Sequence, residues 1–331
     1  MIAEYIWIGG NLEIRSKTRI LPNNTTVFPE WNFDGSSTEQ ASGEDSEVII
    51  KPQTVFPCPF RKGPNKIILC DTYYQGNPHS TNTRNWAQKI FEEDLNAQPW
   101  FGLEQEYFIM DKKTGFPLGV KPDENIIQGQ YYCSNGGLNA YGRDFVEEHM
   151  NLCLEAGLKI SGVNAEVAPG QWEFQIGPAV GIEAGDHLLV ARFLLERLSE
   201  KYEYWIELAP KPYLKVNGSG CHCNYSTALM REGTNEKTGL EIIDEAINKL
   251  SLKHDEHMKV YGDGNEERMT GKHETASYDK FTFGRANRGA SVRIGNETID
   301  NQKGYFEDRR PASNCDPYLV TAMIFKTTHL E

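Results

Sequence analysis

The chain has no apolar run near the roughly 18 residues that suggest a membrane span, and its start, Met1-Ile-Ala-Glu-Tyr-Ile-Trp7, is not a secretory signal. A cytoplasmic protein is the expectation. Cysteine is scarce and scattered: the seven are Cys58, Cys70, Cys133, Cys153, Cys221, Cys223 and Cys315, an odd number without a Cys-x-x-Cys pair. That argues against a disulfide framework or a zinc ribbon and predicts reduced thiols. Basic residues are outnumbered 34 to 47, for a formal charge of −13, so neither a nucleic-acid surface nor an anionic-membrane surface is expected. An anionic substrate stays compatible, because clustered Arg or bound cations can reverse the field inside a cleft. No Gly-x-x-x-x-Gly-Lys-Ser/Thr loop, kinase signature set or Gly-x-Ser-x-Gly elbow occurs, so ATP binding by the first two routes and elbow-type hydrolysis lack support. Metal-assisted chemistry on an anion remains.

The composition, 39% hydrophobic and 24% charged over 331 residues, is that of a globular chain, and at ~150 residues per domain it suggests two domains. Residues 1–76 carry short β-like runs (Glu4–Ile8, Ser46–Lys51, Lys66–Asp71) between Gly, Pro and Asn turns. Within them Pro29–Thr38 reads as a polar loop with Asp34-Gly35 at its turn. Residues 77–82 resemble a linker. From residue 83 to 331 helices alternate with strands. Helices are predicted at Arg84–Leu95, Asp144–Ala156, Gly185–Leu208, Leu240–Val260 and Pro317–His329, and strands at Trp100–Met110, Asn164–Ile176, Gly218–Ser226 and Ala290–Ile294.

The stretch that organises the rest is Asn164-Ala-Glu-Val-Ala-Pro-Gly-Gln-Trp-Glu-Phe-Gln-Ile176. Pro169-Gly170 is a turn dipeptide, and if the flanking arms pair back, Glu166 lies opposite Glu173. Alternation puts Trp172, Phe174 and Ile176 on one face and Glu173 with Gln175 on the other. Two carboxylates opposed on paired strands, about 5 Å apart, destabilise the pairing unless a cation compensates. Glu104 and Glu106 share one face of the preceding strand, about 6.6 Å apart, and could each contact a different ion. Two ions about 4 Å apart form the usual clamp for phosphoryl transfer. Glu307 and His222 complete the candidates. In an extended Cys221-His-Cys223 the thiols point away from His222, so the imidazole would join oxygen ligands, a set suited to Mg²⁺ or Mn²⁺. Any of these alone is commonly a solvated glutamate or a core histidine; their joint spacing is the signal. A basic counterpart follows in Arg285, Arg288 and Arg293, with Arg309 and Arg310 behind Glu307, and guanidinium forks match phosphate and carboxylate oxygens. Arg268–Glu274, polar and Gly-containing, reads as a flap over a site or as a plain surface loop.

Six segments resemble glutamine synthetase, in its shorter, eukaryotic-type branch: Trp31–Thr38, Trp100–Tyr107, Asn164–Pro178, Asn217–His222, His273–Thr275 and Gly304–Pro311. The resemblance implies a small N-terminal β-grasp domain and a larger catalytic domain with a curved antiparallel sheet and surrounding helices, an α+β fold. It implies ATP-dependent amidation of glutamate by ammonia through a γ-glutamyl phosphate, with two or three Mg²⁺ or Mn²⁺ ions. Glu106, Glu166 and Glu173 would hold one metal, and Glu104, His222 and Glu307 another. Arg288, Arg293 and Arg309 would hold phosphate and carboxylate groups, and Asn217, Gly218 and Arg268 would orient the amino acid. Trp100, Glu173, Asn224, Ser226 and Tyr305 fall where the family contacts nucleotide. Asp34, from a neighbouring subunit of a pentameric or decameric ring, would take the ammonium proton, and Glu274 would close over the intermediate. In this branch Trp usually precedes the Asn of the Asn-Gly pair, whereas Lys215-Val216 precedes Asn217 here. The chain also starts almost at the first strand and has a short C-terminus, which bears on ring stacking. Two other functions fit the same residues: a ligase for a larger amine, disfavoured by the retained Asp34, and a silent structural relative, disfavoured by six intact ligand positions.

Overall fold

The computed structural model describes residues 1–121, 129–213, 216–272 and 274–331. Lys215 and His273, both part of the motifs above, lie outside the described residues. Two sheets and nine α-helices account for the described chain.

The first sheet contains β1 (Ile2–Ile8), β2 (Ile14–Ile20), β3 (Trp31–Asp34), β4 (Glu47–Pro57), β5 (Lys66–Tyr74) and β6 (Asn77–Pro78). Its order is β2-β1-β5-β4-β3, with β6 added to β5, and the central β1–β5 pair is parallel. Both faces of β1 and β5 are buried. Ala3, Tyr5, Trp7, Ile68 and Cys70 pack with Phe33, Val48 and Ile50 in a core of their own, while Ile6, Ile67 and Leu69 join the main core. That double burial is why these strands read as nearly continuous apolar runs.

In this sheet β2 and β3 run where sequence patterning predicts no strand. β2, at the sheet edge, alternates half-buried Arg15, Lys17 and Arg19 with exposed Ser16, Thr18 and Ile20; Lys17 and Arg19 lie over the Trp31 ring, and this placing of basic side chains on the inner face erases the hydrophobic signal. β3 occupies the middle of the segment expected to be a polar loop and is followed by a 3₁₀ turn over Gly35–Thr38.

The second sheet contains β7 (Trp100–Asp111), β8 (Ile160–Ala165), β9 (Gln171–Val180), β10 (Tyr204–Glu207), β11 (Cys221–Ser226), β12 (Phe283–Arg285), β13 (Val292–Ile294) and β14 (Phe306–Asp308). The order is β12-β13-β14-β11-β7-β9-β8, with β10 also on β7, antiparallel apart from the β12–β13 pair. Leu103, Tyr107, Trp172, Phe174, Ile176 and Tyr225 cover one face against the helices Ile182–Tyr202 and Pro317–Phe325. The opposite face is the polar one.

The helix after β9 is Ile182–Tyr202, not Gly185–Leu208. Glu203 turns left-handed at φ 57° and ends it, and the remaining residues form β10. The predicted Leu240–Val260 helix breaks at Lys253 into Gly239–Leu252 and His254–Met258. Residues 77–82 are partly strand, and Asn82 Oδ1 accepts from the Asn85 amide to cap the helix Thr83–Glu92. A buried polar knot ties β4 of the first sheet to three helices: Asp186 takes two bonds from Arg84, at 2.8 and 2.9 Å, one from Thr54 Oγ1 at 2.6 Å and one from Tyr318 Oη at 2.7 Å.

Candidate active site

Strand register brings the predicted acids together. On β7, Glu104 faces His222 of β11 on one side, and Glu106 faces Glu173 of β9 on the other. Glu307 of β14 lies opposite Asn224, next along from His222. The hairpin around Pro169-Gly170 closes two residues away from the expected register: Asn164 faces Glu173, and Glu166 lies beyond β8, its amide donating to Gln171 O at 2.9 Å. A slip of two keeps every side chain on its predicted face. Gly170, at φ 70°, makes the turn, and a Cβ there would come within 2.8 Å of the Leu118 amide nitrogen.

Two triads result: Glu104–His222–Glu307 and Glu106–Glu166–Glu173, each offering three ligand atoms within 4.8 Å of one another. In the second triad, burial and mutual repulsion push the acids up, Glu106 and Glu173 to about 8 and Glu166 to about 7. Burial, aided by the Arg309 charge, holds His222 well below its ordinary value, in the neutral form that ligates. Crowded carboxylates with one neutral imidazole fit hard divalent cations such as Mg²⁺ or Mn²⁺.

Neutral amides steer four of the five acids. Asn224 Nδ2 donates to Glu104 at 2.8 Å, Asn164 Nδ2 to Glu166 at 3.0 Å, Gln175 Nε2 to Glu173 at 2.7 Å and Gln171 Nε2 to Glu106 at 3.4 Å. The fifth, Glu307, instead meets Arg293 Nε at 2.5 Å and Arg309 at 2.7 Å.

The triads line a polar cavity of about 240 Å³, together with Asn217, Gly218, Arg268, Glu274, Arg288, Arg293 and Arg309. A second cavity of about 530 Å³ shares Glu104, Gln175 and Arg293 with it and is edged by Trp100, Asn224, Ser226, Arg231 and Tyr305. The Arg231 guanidinium sits 3.9 Å over the Trp100 ring and donates to Ser226 Oγ. Glu274 is exposed at φ 63°, its Oε2 3.9 Å from Arg288.

One expectation changes in detail, and two further positions are located. Arg268 does not belong to the exposed loop that follows it: it is fully buried, donates to Asn265 and to the carbonyls of Arg309, Arg310 and Pro311, and burial lowers it to about 10. Val216 packs on Phe108, Met110 and Ala168, away from the cavity. Asp34 lines neither cavity; it is exposed at the end of β3, where Ser36 and Ser37 donate to it and hold its carboxyl below the usual range.

Sequence patterning left unassigned Asn164, Gln171, Gln175, Tyr132 and Arg231. Alternation in β9 carries the signal for Gln171 and Gln175, since both share a face with Glu173. Tyr132 hydrogen-bonds Arg288 from a loop with no periodic pattern.

The patterns described as "Glutamine synthetase, beta-Grasp domain" and "Glutamine synthetase, catalytic domain" match residues 7–75 and 78–242. The chain is 54% identical to glutamine synthetase cytosolic isozyme 1-3 of Arabidopsis thaliana over 342 aligned positions, covering 100% of this chain and 95% of that one. It is also 54% identical to a putative glutamine synthetase of Acanthamoeba polyphaga mimivirus, covering 98% and 93%. A solved structure described as "Apo GmaS without ligand" superposes with a TM-score of 0.77 at 20% identity, over 99% of this chain and 77% of that one, a likeness of fold. With its β-grasp sheet, its catalytic sheet and relatives matched over more than nine-tenths of their length, the chain belongs to the glutamine synthetase family.

Proposed function

We infer that this protein is a glutamate–ammonia ligase that consumes ATP and forms glutamine through γ-glutamyl phosphate, with residues 1–76 as β-grasp and 83–331 as catalytic domain. The observation that carries the reading is the pair of acid triads beneath an arginine rim, opening into an aromatic-edged cavity.

The glutamate γ-carboxylate oxygen bonds to the γ-phosphorus of ATP as the bond to the ADP oxygen breaks. Both partners are anionic, so the step needs positive charge in a site poor in water. Arg288, Arg293 and Arg309 supply it from the protein. Mg²⁺ or Mn²⁺, two or three per site when bound, screens the phosphate oxygens, with Glu106, Glu166 and Glu173 as one ligand set and Glu104, His222 and Glu307 as the other. Asn217 and Gly218 orient the amino acid, and Arg268 fixes the backbone of Arg309–Pro311 beside it. The edge formed by Trp100, Asn224, Ser226 and Tyr305 takes the nucleotide, with Glu173 near its phosphates.

Ammonia then attacks the acyl carbon and phosphate leaves. Ammonium must lose a proton first, and a carboxylate both holds the cation and accepts the proton. Asp34 has that role from a neighbouring subunit, in keeping with its being exposed and lining neither cavity of its own chain, so the working form is a pentameric or decameric ring. Glu274 shields the acyl phosphate from water. Relatives named as cytosolic isozymes support a cytoplasmic setting. Among the described residues no helix is long and apolar enough to cross a membrane.

Phosphate release from ATP with Mg²⁺ tests the reading. Release that needs both glutamate and ammonium is expected; preference for a larger amine, or release without either, would overturn it.

A further inference from the structure

Gln171 stands between the two halves of the site. Its side chain is 1% exposed, and its Nε2 lies 3.4 Å from Glu106 Oε2, 3.1 Å from Gly218 O and 3.3 Å from Ser219 Oγ. One neutral nitrogen thus touches an acid of one triad and the backbone of the loop that carries Asn217 and Gly218. The amide orientation follows from chemistry, since the flipped rotamer would set Oε1 against a carboxylate and a carbonyl.

The loop has little freedom to compensate. The Ser219 amide donates to Pro210 O at 2.9 Å, the Gly220 amide donates to the same Glu106 oxygen at 3.0 Å, and a Cβ on Gly218 would lie 2.1 Å from Pro210 O. Gln171 Oε1, in turn, is buried without a hydrogen-bond partner among the described residues. A buried acceptor without a donor calls for one that enters with an occupant, such as a cation-bound water or an amine.

We propose that Gln171 is a positioning residue that ties Glu106 to the Gly218 carbonyl, so that the cation and the amino-acid loop take up their places together. The proposal rests on the ligase reading for its amino-acid half; its cation half stands without it. A neutral amide suits the task. It orients Glu106 without competing for the cation, as a lysine would, and adds no further carboxylate to a crowded cluster, as glutamate would.

Gln171→Met keeps the length and removes both polar atoms, and Gln171→Glu keeps the shape and adds charge. Two readings are taken on each folded variant: Mn²⁺ binding by electron paramagnetic resonance without substrates, and steady-state kinetics with glutamate and ATP varied separately. Loss of an outer-shell hydrogen bond commonly weakens metal binding 10- to 100-fold. Gln171→Met is expected to weaken Mn²⁺ binding about tenfold and to raise KM for glutamate about tenfold, with KM for ATP within roughly twofold of the parent.

A purely structural role would lower thermal stability and active fraction and leave Mn²⁺ affinity and both KM values unchanged; that pattern overturns the proposal. Gln171→Glu sets a carboxylate oxygen against Glu106 and the Gly218 carbonyl, so it is expected to raise glutamate KM and weaken Mn²⁺ binding as Gln171→Met does, and parental values of both also overturn the proposal. If the parent enzyme makes no glutamine, the ligase reading has failed, and the Mn²⁺ comparison alone decides the tie to Glu106.

Discussion

Arg293 and Glu307 face each other across β13 and β14, with Nε 2.5 Å from Oε2, while Arg309 holds the other carboxylate oxygen at 2.7 Å. One acid of the Glu104–His222–Glu307 triad is therefore neutralised by the protein itself. The Arg309 contact is a charge-assisted hydrogen bond worth about 1.5–3 kcal/mol, the Arg293 contact is an ion pair without hydrogen-bond geometry, and Arg293 borders both cavities. Arg293→Ala is expected to raise KM for ATP roughly tenfold to hundredfold and leave glutamate binding nearly unchanged. Nucleotide-varied kinetics read this directly, and an unchanged ATP KM would remove Arg293 from the phosphate site.

The acids give a pH signature. Glu106, Glu166 and Glu173 sit at about 7 to 8 in the cation-free fold against an ordinary 4.5. The folded state therefore holds extra protons between those values, so its stability falls as pH rises through that window. A cation binds only the deprotonated set and reverses the trend. The melting temperature in EDTA is expected to fall between about pH 6 and pH 8.5, and the gain from Mg²⁺ to grow over the same range. Equal gains at both ends would contradict the buried-acid account. EDTA should also abolish turnover.

Asp34 lines neither cavity of its own chain, so intersubunit sites can be tested by complementation. Asp34→Ala and Glu307→Gln are each expected to be nearly inactive. Subunits of the two, dissociated and reassembled in equal amounts, should regain about one quarter of parental activity, because each site draws its halves from two chains. No recovery from particles of ring size would place Asp34 elsewhere in the mechanism.

Glu274 is exposed in a left-handed conformation that favours glycine, a strained setting for a side chain at a cavity mouth. Its loss should uncouple the reaction more than stop it. Glu274→Ala is expected to release more phosphate than glutamine formed, and a ratio that stays at one would leave the flap without its water-excluding role.

Asp186 anchors Arg84, Thr54 and Tyr318 where β4 meets the helices Thr83–Glu92, Ile182–Tyr202 and Pro317–Phe325. Removing one partner of a buried ion pair costs about 3–5 kcal/mol, because the other charge remains buried. Asp186→Ala should lower thermal stability by that amount. Calorimetry on the intact oligomer would show it, and a loss near zero would mean that the knot is solvated.

The acids were legible because strand alternation is local. The pattern at Glu104, Gln105 and Glu106 puts the two glutamates on one face, and the apolar Trp172, Phe174 and Ile176 leave Glu173 facing the other way. Arg268 was misplaced because a polar, Gly-containing string looks the same whether its first residue is anchored or free. Only packing reveals that its guanidinium is consumed by backbone carbonyls. β2 and β10 were missed for the complementary reason. One is charged at an edge, and the other continues an apolar stretch after a helix that Glu203 ends.

Residue order thus settled which side chains face the site, since alternation along a strand needs no partner. It left open which acids share a cation. Glu104 and Glu106 are two residues apart on one strand, yet they join different triads because β11 flanks β7 on one side and β9 on the other. That division depends on strands from distant parts of the chain meeting in one register, and long-range packing of the apolar face holds them there.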